Sequence, residues 1–264
     1  MQRFPAEFSD VLTDDGRRWL YQGHQDDLSH NPNRSFMCMA GVIQPRFCQE
    51  AYSLLNARLY KYLSDLEQKI PLFSTWHMVQ NYRERLPKVV RMKTIDMTSY
   101  NRAYQMVKEI GLLQMLDSES FYQFVSKLSG YRLRKKMGKQ VLCYERGDYI
   151  GPHNDHHPED PEASSGYIDC HISFAGPGVQ HQYLIYEQNR HLTEMQAMHH
   201  AGVITIYRLP FWHYTTPLAV DEGSLVLDQR RWVVLGTFLF DKRDKNVQKW
   251  QQEVSRRLTF SESE

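Results

Sequence analysis

Cysteine is scarce, and its spacing forms no motif. The 264-residue chain has four, Cys38, Cys48, Cys143 and Cys170, and no two are separated by two residues. That pattern excludes a zinc ribbon and a thioredoxin-type redox motif, and buried, reduced thiols of a cytoplasmic protein are the expected state. No apolar run approaches the roughly 18 residues of a membrane span. The opening residues, Met1 to Phe8, lack the apolar stretch of a signal peptide. Charge of one sign is also missing, with 32 Lys and Arg against 31 Asp and Glu. Binding driven by phosphate neutralisation shows as a basic excess, so nucleic acid is not an expected partner. There is no internal repeat and no low-complexity tract. What is present is an ordinary globular composition, 41% hydrophobic and 24% charged, in a chain long enough to bury a core without staples.

The pattern changes part-way along. Residues 1–35 are polar and punctuated, as in Gln25-Asp26-Asp27 and Asn31-Pro32-Asn33, and read as loop with short pieces of structure. Residues 36–43 read as a strand, after which Pro45 opens a helix, where its missing N–H is harmless. Phe47, Ala51, Leu54, Leu55, Leu59, Tyr62, Leu63 and Leu66 recur at helical spacing, so this helix is expected to continue until Pro71 stops it. One further helix carries Tyr104, Val107 and Ile110, and the next Phe121, Phe124, Val125 and Leu128. From residue 140 short strands take over, expected at 140–144, 149–155, 165–174, 182–187, 202–207 and 232–240. A closing helix carries Val247, Trp250, Val254 and Leu258. The expected class is α+β: a mainly helical region over 1–139, a β core over 140–241 and a C-terminal helix over 242–264, in one integrated domain. The basic run 132–139, with five charges in eight residues, reads as a solvated helix end.

The densest set of ligand-type residues is Gly151-Pro152-His153-Asn154-Asp155-His156-His157. His153 and Asp155 are two apart, so on a strand both point to one face. An imidazole and a carboxylate presented together are two thirds of a facial triad for non-haem Fe(II), which needs one more histidine. His213, in Phe211-Trp212-His213-Tyr214-Thr215-Thr216-Pro217, follows an apolar strand and is the leading candidate, with His199 and His200 as competitors. A solvated histidine loop is the bland alternative in a chain with twelve histidines, and it is the default for His156 and His157.

Taken in order, these segments resemble the Fe(II)- and 2-oxoglutarate-dependent dioxygenases. The resemblance rests on Val141-Leu142-Cys143-Tyr144, the turn at Gly147, the His153-Asn154-Asp155 motif, His213 sixty residues after His153, and Arg231 eighteen residues further on. It implies a double-stranded β-helix, or jelly-roll, core buttressed by helices. It also implies Fe(II) held by His153, Asp155 and His213, with 2-oxoglutarate and O2 as co-substrates. The distal carboxylate of 2-oxoglutarate then needs a fixed cation, for which Arg offers a planar bidentate fork. Arg230 and Arg231 point to opposite faces of one strand, and Arg231, followed by Trp232, is the favoured partner; Arg230 is expected at the surface. Tyr144, nine residues before His153, stands where relatives place a tyrosine that bonds the co-substrate, or it is an ordinary core residue.

The implied activity is hydroxylation of an amino acid, small metabolite or peptide side chain, releasing succinate and CO2. Relatives that halogenate replace the carboxylate by Gly or Ala, and here Asp155 is present. Demethylases of the AlkB type carry a second Arg six residues after the first, where this chain has Thr237. A non-catalytic jelly-roll metal-binding module is the remaining alternative. A cupin is excluded, because the sequence has no His-x-His pair.

Overall fold

The computed structural model describes residues 1–23, 27–31, 33–71, 88–97, 101–157, 159–164, 166–188 and 191–259. Gln25, Asp26, Pro32, Pro158 and Ser165 lie outside them. A 3-10 turn at Phe8–Val11 precedes α1 (Asp14–Gln22), β1 (Phe36–Met39), α2 (Pro45–Leu59), β2 (Ser64–Lys69) and β3 (Val89–Thr94). Then come α3 (Arg102–Glu109), α4 (Leu112–Leu116), α5 (Glu119–Ser129) and the strands β4 (Leu133–Tyr144), β5 (Tyr149–Ile150) and β6 (Tyr167–Ala175). The chain finishes with β7 (Val179–His181), β8 (Tyr183–Gln188), β9 (His191–Ala197), β10 (Ile204–Leu209), β11 (His213–Thr215), β12 (Ala219–Val220), β13 (Arg231–Phe240) and α6 (Lys245–Thr259).

The largest sheet has the order β1-β10-β6-β13-β4-β3-β2, with β5 also on β3; a second sheet runs β11-β8-β9. All these pairings are antiparallel, and a bridge from His153 to His213 ties the segment after β5 to β11. This is the jelly-roll core with helices against it that the sequence implied. Strand alternation gives the large sheet two unlike faces. One face carries Ile168, Cys170, Ile172, Phe174, Ile204, Ile206, Trp232, Val234 and Phe238, all buried in a core shared with α2, α4, α5 and α6. The opposite face carries Tyr144, Tyr167, Asp169, His171, Ser173, Tyr207 and Arg231, and turns toward the β11-β8-β9 side.

The helices form for local reasons. Ser118 caps α5 by accepting the Phe121 N–H, and Asn101 caps α3 by accepting that of Tyr104. Arg208, on the helical side of β10, is fully enclosed. Its guanidinium donates to the carbonyls of Leu28 and Asn31 at 2.8 and 3.2 Å, to that of Arg34, and to the Tyr131 hydroxyl at 2.7 Å. It also lies 4.0 Å from the Trp250 ring, which docks α6.

Four expectations are corrected. The helix from Pro45 ends at Leu59, a 3-10 turn covers Tyr60–Tyr62, and β2 follows. Tyr62, Leu63 and Leu66 satisfy a helical period, but β3 supplies a pairing partner, with Leu66 opposite Met92. The polar opening holds a real helix, α1, capped by Thr13. It buries only Gly16 and Leu20, too few apolar residues to show a period. Next, β4 starts at Leu133, so most of the basic run is strand and not helix end. Acids brought by the fold pair with three of its cations: Asp241 with Arg132 (3.0 Å), Glu162 with Arg134 (2.6 Å) and Asp117 with Lys139 (2.5 Å). Lastly, the strand expected over 149–155 stops at Ile150. All four cysteines are free thiols, three of them buried.

Candidate metal centre

β4 delivers the chain to a turn in which Gly147 takes φ 82 and donates its N–H to Leu218. β5 follows, and then Gly151-Pro152 ends the ladder. His153 keeps two backbone bonds to His213, N–H to O at 3.0 Å and the reverse at 2.9 Å. That exchange holds the two imidazoles side by side, tilted by 52°, with ring centroids 4.3 Å apart. Asp155 does not reach them by strand alternation. It sits at φ 54, in the left-handed region that short polar residues tolerate. The bend is held by Asn154, whose side-chain oxygen accepts the His156 N–H, and by Tyr167, whose hydroxyl donates to the Asp155 carbonyl at 3.0 Å. Same-face presentation was the right outcome reached for the wrong reason.

The two oxygens of Asp155 lie 3.3 Å from His153 Nε2 and 3.4 Å from His213 Nε2. One ligand atom from each of the three residues fits within 4.8 Å of the other two. Each imidazole is oriented by its other nitrogen. His153 Nδ1 meets the Gly151 carbonyl at 2.7 Å, and His213 Nδ1 meets that of Phe211 at 2.9 Å. A carbonyl only accepts, so both Nδ1 atoms carry a proton and both Nε2 atoms face Asp155. Burial and the neighbouring His153 push His213 down to about 3, keeping it neutral. Burial opposes charge on Asp155 too, but the two histidines prevail and hold it well below the usual carboxylate range. For His153 burial lowers the pKa, while the Asp155 charge and its hydrogen bond outweigh that and raise it. The donor set of two imidazoles and one carboxylate is the one that suits Fe(II).

Arg231 opens β13 on the same interior and is 2% exposed. Its Nε donates to Ser173 Oγ at 2.9 Å and an Nη to Gln182 Oε1 at 2.8 Å, while its guanidinium lies 5.4 Å from the Tyr144 ring. Among the described residues no carboxylate pairs with it. A desolvated guanidinium held only by neutral groups fits the distal carboxylate of 2-oxoglutarate. Burial pushes the Tyr144 phenol up to about 12, so it remains a neutral donor. Arg230 faces the other way, stacked 3.4 Å from the Tyr60 ring and bonded to Glu145 (3.1 Å) and Asn56 (3.0 Å). It is buried, not at the surface as expected, because α2 and the following turn cover that side.

His199 and His200 stay out of the triad. They pair with each other at 4.2 Å between ring centroids, and His199 also meets Tyr183. His157 pairs with Glu159 on an exposed loop. Sequence reasoning missed Ser173 and Gln182, the groups that aim Arg231. Gln182 is fully buried, and its amide also donates to the Asp148 and Thr216 carbonyls at 3.2 and 3.1 Å. The parity of β6 could have found Ser173; nothing in the sequence marks Gln182, whose partners are 34 residues away.

No family model matches the sequence, and no curated protein compared with it matches either. Solved structures do. An oxidoreductase of the 2OG-Fe(II) oxygenase family from Burkholderia pseudomallei aligns with TM-score 0.52 at 10% identity, covering 83% of this chain and 92% of that chain. The fold is that of the 2OG-Fe(II) oxygenases. The non-haem α-ketoglutarate-dependent carbocyclase SnoK of nogalamycin biosynthesis aligns with TM-score 0.52 at 11% identity, over 84% of this chain and 85% of that one. The epimerase SnoN of the same biosynthesis gives 0.50 at 14% identity, over 80% of each. These 2OG-Fe(II) oxygenases differ in reaction outcome, so the shared fold does not select one.

Proposed function

We propose that the protein is an Fe(II)- and 2-oxoglutarate-dependent oxygenase that hydroxylates an amino acid, a small metabolite or a peptide side chain, releasing succinate and CO2. One observation carries the reading: a preformed His153–Asp155–His213 triad shares its barrel interior with Arg231, a buried cation that no carboxylate among the described residues pairs. His153, Asp155 and His213 would hold the iron, and Arg231 and Tyr144 the co-substrate. Iron with 2-oxoglutarate supplies the O2-derived oxidising power that removes hydrogen from an unactivated C–H bond. The protein's own part is positional. The Gly151 and Phe211 carbonyls fix the imidazole tautomers, and Ser173 and Gln182 hold the guanidinium plane. Burial of the interior limits water at the site. Tyr144 keeps its proton and offers a hydrogen bond. Asp155 occupies the place a halide needs, which favours hydroxylation over halogenation.

The test follows succinate formation and O2 consumption by purified protein with 2-oxoglutarate, with and without Fe(II). Slow succinate release that requires both iron and oxygen is expected even without the prime substrate. A folded, iron-loaded protein that makes no succinate with any pooled metabolite fraction would indicate a binding module instead.

A further inference from the structure

Asp169 lies on the interior face of β6, opposite Tyr207 of β10 and Thr237 of β13. On that strand it stands between Tyr167, which bonds the Asp155 carbonyl, and His171, with Ser173 next on the same face. Its side chain is only 14% exposed. Among the described residues no hydrogen bond to the carboxylate is found, and Oδ1 is buried without a partner. His171 is its ion-pair neighbour, with Nε2 3.8 Å from Oδ2, beyond hydrogen-bond range. A carboxylate with one oxygen buried and no donor on it is open to a cation.

The walls beside it are aromatic. The Tyr207 ring is 4.5 Å from His171, 5.5 Å from His213 and 5.8 Å from Phe211, and Phe36 packs against Tyr207 at 5.1 Å. Ring faces attract cations, more strongly as water is removed. Arg231, the one cation of this interior described above, is held two strand positions beyond His171 by Ser173 and is spoken for in the proposed reading. An unsatisfied carboxylate oxygen therefore stands on the interior face beside an aromatic cluster that reaches His213, and both favour an organic cation.

Resting on the oxygenase reading for the site, we propose that the substrate presents a cationic nitrogen, an ammonium or guanidinium, to Asp169 beside the ring of Tyr207. Asp169 is then a specificity residue, setting which C–H bond stands near the triad by anchoring the charged end of the molecule.

The experiment measures equilibrium binding to the full chain, by calorimetry or ligand-observed NMR, for three pairs of similar shape: L-lysine and L-norleucine, L-arginine and L-citrulline, choline and 3,3-dimethylbutanol. At least one cation should bind tenfold or more tightly than its neutral partner. Asp169→Asn, near-isosteric and checked for an unchanged circular dichroism spectrum, should level that pair, and Asp169→Glu should restore part of the preference. No cation preference in any pair, or a preference that survives Asp169→Asn, overturns the inference. Succinate release by the unaltered chain is assayed separately. Cation preference without succinate would sink the oxygenase reading and leave this inference standing; succinate without cation preference would do the reverse.

Discussion

The two faces of the large sheet are built from the same strands and do opposite work. On the helical face the two buried arginines are met by groups that the fold itself supplies. Arg208 spends its donors on three carbonyls and a hydroxyl, and Arg230 has Glu145 and Asn56. On the interior face, among the described residues, Arg231 is bonded to Ser173 and Gln182 alone and Asp169 Oδ1 has no donor. Stability alone would not keep a buried charge in that state, because removing compensation from a buried ion costs several kcal/mol. The contrast teaches where the chain is poised to receive something: polar groups finished by the fold are structural, and polar groups left unfinished face the ligands.

The comparison can be broken first at the metal. His213→Ala should remove most Fe(II) affinity, a loss of a hundredfold or more in metal titration, whereas His200→Ala should leave it unchanged. Transfer of the effect to His200 would move the centre. Next come the adjacent arginines. Arg231→Leu should raise the apparent KM for 2-oxoglutarate about tenfold to a hundredfold, since a charge-assisted bond is worth roughly 1.5–3 kcal/mol. Arg230→Leu should lower thermal stability and leave that KM nearly alone; the opposite pattern would exchange their roles. On the helical face, Arg208→Met should cost about 3 kcal/mol by stranding buried carbonyls, read as a lower denaturation midpoint. Iron affinity should not change.

A smaller effect concerns pH. The raised His153 pKa stabilises the metal-free protein below about pH 6.5, and this contribution disappears as pH rises through the folded-state value. Iron needs neutral His153, so its binding competes with that proton and strengthens as pH rises. The gain in melting temperature on adding Fe(II) should therefore grow from pH 6 to pH 8. A gain that shrinks over this range would contradict the assigned protonation. The smallest effect is expected at the exposed end of β4, where Arg134→Ala should change stability by less than about 0.5 kcal/mol despite the Glu162 ion pair.

Much of this contrast was legible residue by residue. Strand parity separated Arg231 from Arg230, and helical spacing placed α5 through Phe121, Phe124 and Leu128. The order of His153, Asp155 and His213 already marked three side chains that the fold brings together. Other features were not legible. Leu66 suits both periods until Met92 is opposite it. The basic start of β4 looks solvated until Asp117, Glu162 and Asp241 arrive from distant segments. Asp155 looks like a strand residue until the turn at φ 54 is seen.

The sequence by itself determined which ligand-type residues the chain offers and in what order, because residue type and spacing are local properties written in neighbouring residues. Only the tertiary structure decided which polar groups are finished and which are left waiting. Gln182 meeting Arg231, the carbonyls closing on Arg208 and the missing donor at Asp169 all depend on atoms from far along the chain. Their energies depend on burial, which no single segment possesses before the sheet and helices close around it.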